Sequence, residues 1–228
     1  MARLTPPKQK RPLKERNRFL RWGLELVQAL FQSLGREEQL EKMVDLAALG
    51  TVADMSPLLG ENRYLVKEGL KLMNHSPRLG LEALAGQAGL NIGSLDAESI
   101  SWMIAPRLNA AGRLEHAITS YRLLTTDSPI EARRLARWLE QKNAERQKIT
   151  STTLTMAREQ VLSRGMAPLL IARDRDYFIG IAGLVASRLA EEFYRPTVVI
   201  KTGEKVSSGS CRSIPEFNII AALNQSRH

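Results

Sequence analysis

The alternation of apolar and polar positions begins with a helical rhythm. Leu20, Leu24, Val27, Phe31 and Leu34 recur at spacings of four and three, which predicts an amphipathic helix stopped by Gly35. A second helix is predicted over residues 37–48, with Leu40, Met43, Val44 and Ala47 on one face. The stretch Gly50-Thr51-Val52-Ala53-Asp54 follows, and Gly50, Thr51 and Val52 predict an extended turn there rather than more helix. Periodicity predicts further short helices over 61–73, 78–90 and 95–105. They are separated by His75-Ser76-Pro77 and Asn91-Ile92-Gly93, and Pro106 is expected to end the last one.

The clearest boundary is Ser128-Pro129-Ile130-Glu131: Ser128 can cap, Pro129 suits a first helical turn, and Glu131 completes a capping box. No proline or glycine intervenes before Gly165, so one long helix is predicted. Its middle, residues 141–148, has almost no apolar face, which is the pattern of a helix that bridges domains through solvent. Beyond Gly165 the texture becomes α/β. Leu169-Leu170-Ile171-Ala172 reads as a buried strand, residues 183–193 as a helix and Thr197-Val198-Val199-Ile200 as a second strand, together a right-handed βαβ unit. A further strand or loop, Val206 to Ser213, leads through Pro215 into a short helix over 218–225.

Composition narrows the class. The 228 residues suffice for one large or two modest domains. No apolar run approaches the roughly 20 residues of a membrane helix, and no signal peptide is evident, so a cytoplasmic location is expected. The single cysteine, Cys211, excludes an intramolecular disulfide framework and a Cys-rich zinc site. His75, His116 and His228 show no metal-ligand spacing. Net charge is +9, which suggests an acidic partner, but residues 1–22 hold eight basic side chains and one acid, Glu15. That basic tail is expected to be disordered over residues 1–19; an organelle presequence, an out-of-frame start and a nucleic-acid arm stay open beside that reading.

Three stretches could carry chemistry. Asp54 ends a small and apolar segment, a setting that suits a ligand of a hard cation and equally a turn cap before Ser56-Pro57. Residues 106–114, PRLNAAGRL, set Arg107 and Arg113 around a small-residue turn whose N–H groups could meet a phosphate; alternatively, both arginines are solvated. Residues 207–213, SSGSCRS, could cradle a phosphate through amides, hydroxyls and Arg212, or form a flexible hairpin. No Walker loop and no GxGxxG signature occurs.

Taken in order, these stretches resemble the RecJ family, single-strand-specific DNA exonucleases of the DHH phosphoesterase superfamily. The pieces are LGTVAD (49–54), APRLNAAGRL (105–114), NAERQ (143–147), GIAGLVASRL (180–189) and GSCRSIP (209–215). The resemblance covers about residues 20 to 225. It implies that Asp54 is a ligand of a catalytic Mn²⁺ or Mg²⁺ pair and that Arg113 lies near the DNA path. It also implies that Ser210, Arg212 and Ser213 hold substrate phosphate, with Arg107 and Asn109 as further DNA-binding candidates.

The same resemblance sets the expected architecture, an α/β chain. It comprises the helix-rich C-terminal part of a DHH domain (20–127), a bridging helix (128–165) and the first, α/β part of a DHHA1 domain (166–228). The family's Asp-rich, Asp-His-His and Gly-Gly-His motifs are absent, Cys211 replaces a usual glycine, and Tyr177-Phe178 replaces a common Trp-His. The expectation is therefore an internal fragment of a 5′-to-3′ single-stranded-DNA exonuclease of repair and recombination, inactive alone. Its partners would be single-stranded DNA and either the missing N-terminal half or another repair protein. Two alternatives remain: a non-cleaving module that binds single-stranded nucleic acid or protein, and a phosphoesterase acting on short oligonucleotides or cyclic dinucleotides.

Overall fold

The structure, a computed structural model, describes residues 29–30, 32–35 and 42–226. The basic tail, the first part of the first predicted helix and residues 37–41 of the second lie outside the described residues. The chain divides into two compact units: residues up to Asn109 with Ile118–Glu140, and Ala110–Ala117 with Gln141 onward.

The first unit is helical among its described residues. It contains α1 (Val44–Ala53), α2 (Glu61–His75), α3 (Leu79–Gln87), the single turn α4 (Ala97–Ser99), a π turn (Ile100–Ile104), the part of α5 (Ala105–Leu114) up to Asn109, α6 (Ile118–Thr125) and the first part of α7 (Pro129–Ser163). The expected extended turn at Gly50-Thr51-Val52 is helix instead. Thr51 and Val52 are buried, and the Thr51 hydroxyl donates to the Ala47 carbonyl at 2.7 Å, so burial and a side-chain bond override weak helix propensity. Asp45 is also buried on α1, and Arg78 holds it through Nε at 2.6 Å and Nη2 at 3.1 Å. Asn74 pins the following loop: its Oδ1 accepts from the Gly93 and Leu95 amides, and its Nδ2 donates to the Leu95 carbonyl.

Pro106 does not end a helix; it sits in the first turn of α5. The Ala105 amide bonds to the Ile100 carbonyl across five residues. This π turn opens the register just ahead of Pro106, so the missing N–H and the ring fit without a break. The PRLNAAGRL segment is accordingly helical, and its amides are not the phosphate-facing turn anticipated.

Helix α7 runs for 35 residues as predicted. The Glu131 amide donates to Ser128 Oγ at 3.3 Å, but the capping box is closed through Thr126, whose hydroxyl donates to Glu131 and accepts from the Ser128 amide. The middle of α7 is not solvated all round. Asn143, Thr150 and Thr153 are buried at spacings of seven and three, and Ala157 and Val161 continue the same stripe into an apolar core.

The second unit carries the α/β part. Strands β1 (Leu170–Asp174) and β2 (Thr197–Lys201) pair in parallel, with Leu170 opposite Thr197, and α8 (Ile179–Phe193) connects them. Strand β3 (Ser208–Arg212) pairs antiparallel with β2, Thr197 opposite Arg212, and α9 (Ile219–Gln225) follows, capped by Asn218. The βαβ expectation holds, with α8 starting at Ile179 rather than at residue 183. Strand β1 is only half buried: Leu170 and Ala172 enter the core beside Ile181, Val185 and Leu189, while Ile171 faces outward. Gln160 of α7 bonds both the carbonyl and the amide of Arg173, which occupies part of the free β1 edge. Tyr194, at φ 48°, ends α8 in a left-handed turn.

Candidate functional site

Asp54 follows the last residue of α1. Its amide donates to the Gly50 carbonyl at 3.0 Å, its carboxylate is exposed, and Oδ2 accepts from the Ser56 hydroxyl at 3.3 Å. Among the described residues, no group of three or more His, Cys, Asp or Glu side chains is placed to hold a metal ion. Arg107, also in the first unit, is committed. It forms an ion pair with Glu140, and its Nη1 donates to the Met103 carbonyl at 2.7 Å. Asn109 lies exposed on α5.

The second unit brings Arg113, Ser210 and Arg212 together around the start of α8. Ser210 and Arg212 stand on one face of β3, and Cys211 between them projects to the other. The 207–213 segment is thus largely a strand rather than a loop, and its site chemistry comes from side chains. Arg212 Nε donates to Ser187 Oγ at 2.9 Å, and its Nη1 donates to the Cys211 carbonyl at 2.7 Å and reaches Ser210 Oγ at 3.3 Å. A Cβ added to Gly183 would lie 3.0 Å from Arg212 Nη2 and 3.1 Å from Ser210 Oγ, so the bare backbone of α8 forms the floor beneath both groups.

Gly180 plays the same part for Arg113. A Cβ there would meet the Arg113 carbonyl at 2.0 Å, so only glycine permits the first turn of α8 to lie against this main chain. Arg113 Nη1 donates to the Gly180 carbonyl at 3.4 Å. Glu115, two residues on, ion-pairs with Lys142 at 2.7 Å; Lys142 also holds Glu145, and the hydrogen bonds it donates to both carboxylates raise its pKa. Ser213 is directed elsewhere: its hydroxyl donates to the Phe217 carbonyl.

Charge at this site is unbalanced. Burial, and then the positive charge of Arg212, push the pKa of Arg113 down from its ordinary value. Arg146 is pushed the same way by burial first and then by Arg113 and Arg188. Its Nη2 donates to Asn143 Oδ1 at 2.8 Å, whereas its Nε is buried with no acceptor. Leaving such a charged donor unpaired costs about 1–3 kcal/mol or more. Guanidiniums gathered over a helix start and a hydroxyl are suited to an oxyanion, which each can meet with directed N–H groups.

The family resemblance singled out Arg113, Ser210 and Arg212, on stretches that residue types left open, but no site role was assigned to Arg146, Gly180, Gly183, Ser187 or Arg188. The available signal was spacing. Gly183 and Ser187 are four apart on one face of a helix, and Asn143 and Arg146 are three apart on another.

The chain is 38% identical over 190 residues to the single-stranded-DNA-specific exonuclease RecJ of Bacillus subtilis, covering 82% of this chain and 24% of that protein. It is 37% identical over 220 residues to RecJ of Thermus thermophilus, covering 96% of this chain and 31% of the relative. Among solved structures, Thermus thermophilus RecJ in complex with Mn²⁺ superposes with a TM-score of 0.76 at 37% identity, over 87% of this chain and 29% of that one. An exonuclease RecJ bound to manganese gives 0.73 at 36% identity, over 88% of this chain and 50% of that one. No family model matches. The chain spans only a quarter to a third of the length of the two relatives described.

Proposed function

We propose, for a chain that belongs to the RecJ family by sequence and by fold, that it supplies part of a metal-dependent exonuclease that hydrolyses single-stranded DNA 5′ to 3′ in repair and recombination. On this reading the second unit seats a phosphate of the strand. The observation that carries it is the convergence of Arg113, Ser210 and Arg212 over the side-chain-free backbone at Gly180 and Gly183. The division into a DHH portion up to residue 127, a bridging helix to 165 and a DHHA1 portion beyond belongs to the same proposal. Relatives named as RecJ do not favour the non-cleaving module or the short-oligonucleotide and cyclic-dinucleotide readings. No described helix is long and apolar enough to cross a membrane.

Mn²⁺ and Mg²⁺ are bound in the matched Thermus thermophilus RecJ crystal structures. A metal pair does not fit on the described residues alone, because several oxygen or imidazole donors are needed and Asp54 is a single exposed carboxylate. Asp54 is proposed as one ligand, completed by donors from polypeptide outside the described residues. The chain alone is then expected to bind single-stranded DNA without cleaving it. Fluorescence anisotropy with a 5′-phosphorylated oligothymidylate, followed by a Mn²⁺-dependent cleavage assay with and without a polypeptide carrying the Asp-rich and Asp-His-His motifs, tests both halves of the proposal. Binding with cleavage only on complementation supports it; failure to bind, or no cleavage by the reconstituted pair, counts against it.

A further inference from the structure

Arg212 is the last residue of β3 and is exposed, yet the fold holds its guanidinium in one place. Its Nε donates to Ser187 Oγ on α8 at 2.9 Å, and its Nη1 donates to the Cys211 carbonyl at 2.7 Å and to Ser210 Oγ at 3.3 Å. Every one of these acceptors is neutral. Arg158, on α7 in the same unit, shows the alternative: its Nε and Nη2 both donate to the Glu192 carboxylate, at 3.1 and 2.8 Å, so the group that holds it also cancels its charge. Arg212 is oriented without being neutralised. Its Nη2, beside Gly183, keeps its N–H groups without an acceptor among the described residues.

The three contacts differ in what they anchor. Ser210 and Cys211 are neighbours of Arg212 on its own strand, whereas Ser187 lies 25 residues away along the chain. It therefore ties the guanidinium to α8, one turn beyond Gly183 on the same helix face. We infer that Ser187 is a positioning residue for the phosphate seat: by accepting from Nε it sets Arg212 before the strand arrives. This rests on the reading of the second unit as a phosphate site and gives that site a defined direction of contact. The phosphate meets the Nη2 end of Arg212, because Ser187 already occupies the Nε edge, and it meets the Ser210 hydroxyl, which accepts from Nη1 and retains its own proton to donate. An unfixed surface arginine spreads over many rotamers, and freezing it on binding weakens affinity. A serine removes that cost without competing for the cation as a carboxylate would.

The test is a double-mutant cycle on the full chain: Ser187→Ala, Arg212→Met and the two combined. Binding is read by fluorescence anisotropy with a 5′-phosphorylated oligothymidylate, beside melting temperatures and arginine Nε–Hε NMR of the unliganded proteins. Ser187→Ala should weaken binding about two- to tenfold, the range for ordering one long side chain on binding, with an unchanged melting temperature. In the Arg212→Met background the same change should alter binding less than about twofold, because the group through which Ser187 acts is gone. The Arg212 Nε–Hε signal should exchange slowly with water in the parent and fast in Ser187→Ala. Fast exchange in the parent needs no variant to overturn the inference. It is equally overturned if Ser187→Ala binds as tightly as the parent, or weakens binding as much with Arg212→Met as without it; in each case the phosphate seat stands provided Arg212→Met itself weakens binding. If Arg212→Met binds as tightly as the parent, the phosphate reading falls and the role of Ser187 with it.

Discussion

Arg107 in the first unit and Arg146 in the second are both half-buried arginines on helices, and they have opposite surroundings. Arg107 meets a carboxylate and a backbone carbonyl, so its charge is spent within the fold. Arg146 meets one amide oxygen and two further arginines, and one of its donors has no partner. Burial and residue type are nearly the same, but the partners differ. A paired cation holds the protein together, whereas an unneutralised cluster of cations is a place prepared for an anion from outside.

The sharpest break of that contrast is in the first unit. Asp45→Ala removes the carboxylate acceptor of Arg78, which keeps only the Lys42 carbonyl, and leaves a cation without its acid partner, which should cost about 3 kcal/mol in thermal or denaturant unfolding. Next comes Gly180→Ala in the second unit, where the new Cβ would press on the Arg113 carbonyl. It should cost about 1–3 kcal/mol of stability and also weaken phosphate binding, because Arg113 is displaced. A change in stability with intact phosphate affinity would show that Gly180 only packs and does not position Arg113.

Arg212→Met and Arg107→Met sharpen the comparison directly. The first should reduce affinity for phosphorylated single-stranded DNA by about 1.5–3 kcal/mol with little change in melting temperature. The second should lower melting temperature and leave affinity nearly unchanged. The smallest effect is expected from Cys211→Ala, since Cys211 lies on the face of β3 opposite Ser210 and Arg212; isothermal titration with phosphate should give an affinity within about twofold of the parent.

Much of this was legible in the chain itself. The long helix was readable because Ser128, Pro129 and Glu131 mark its start, and the βαβ unit because two β-branched runs flank a helical period. Where local rules failed, tertiary contacts had won. Thr51 and Val52 became helical because they are buried on α1, and Pro106 stayed within a helix because a π turn precedes it. Polar positions on α7 misled in an instructive way. Asn143 and Arg146 looked solvated, yet with Thr150 and Thr153 they line the inward face, and that face is where the unpaired cation stands. Arg113, Ser210 and Arg212 were identifiable by residue type and order, but their gathering around α8 depends on two glycines whose significance is geometric. Asp54 is as exposed as a turn cap would be, so the proposal that it is a metal ligand rests on polypeptide outside the described residues.

The measurement that bears most directly on the account is binding of a 5′-phosphorylated oligothymidylate to the full chain and to Arg212→Met across a salt series. The account predicts that affinity falls with rising salt in both and that the variant's log-log slope is shallower by about one unit, as one lost phosphate contact requires. Equal slopes and equal affinities for the two proteins would contradict it.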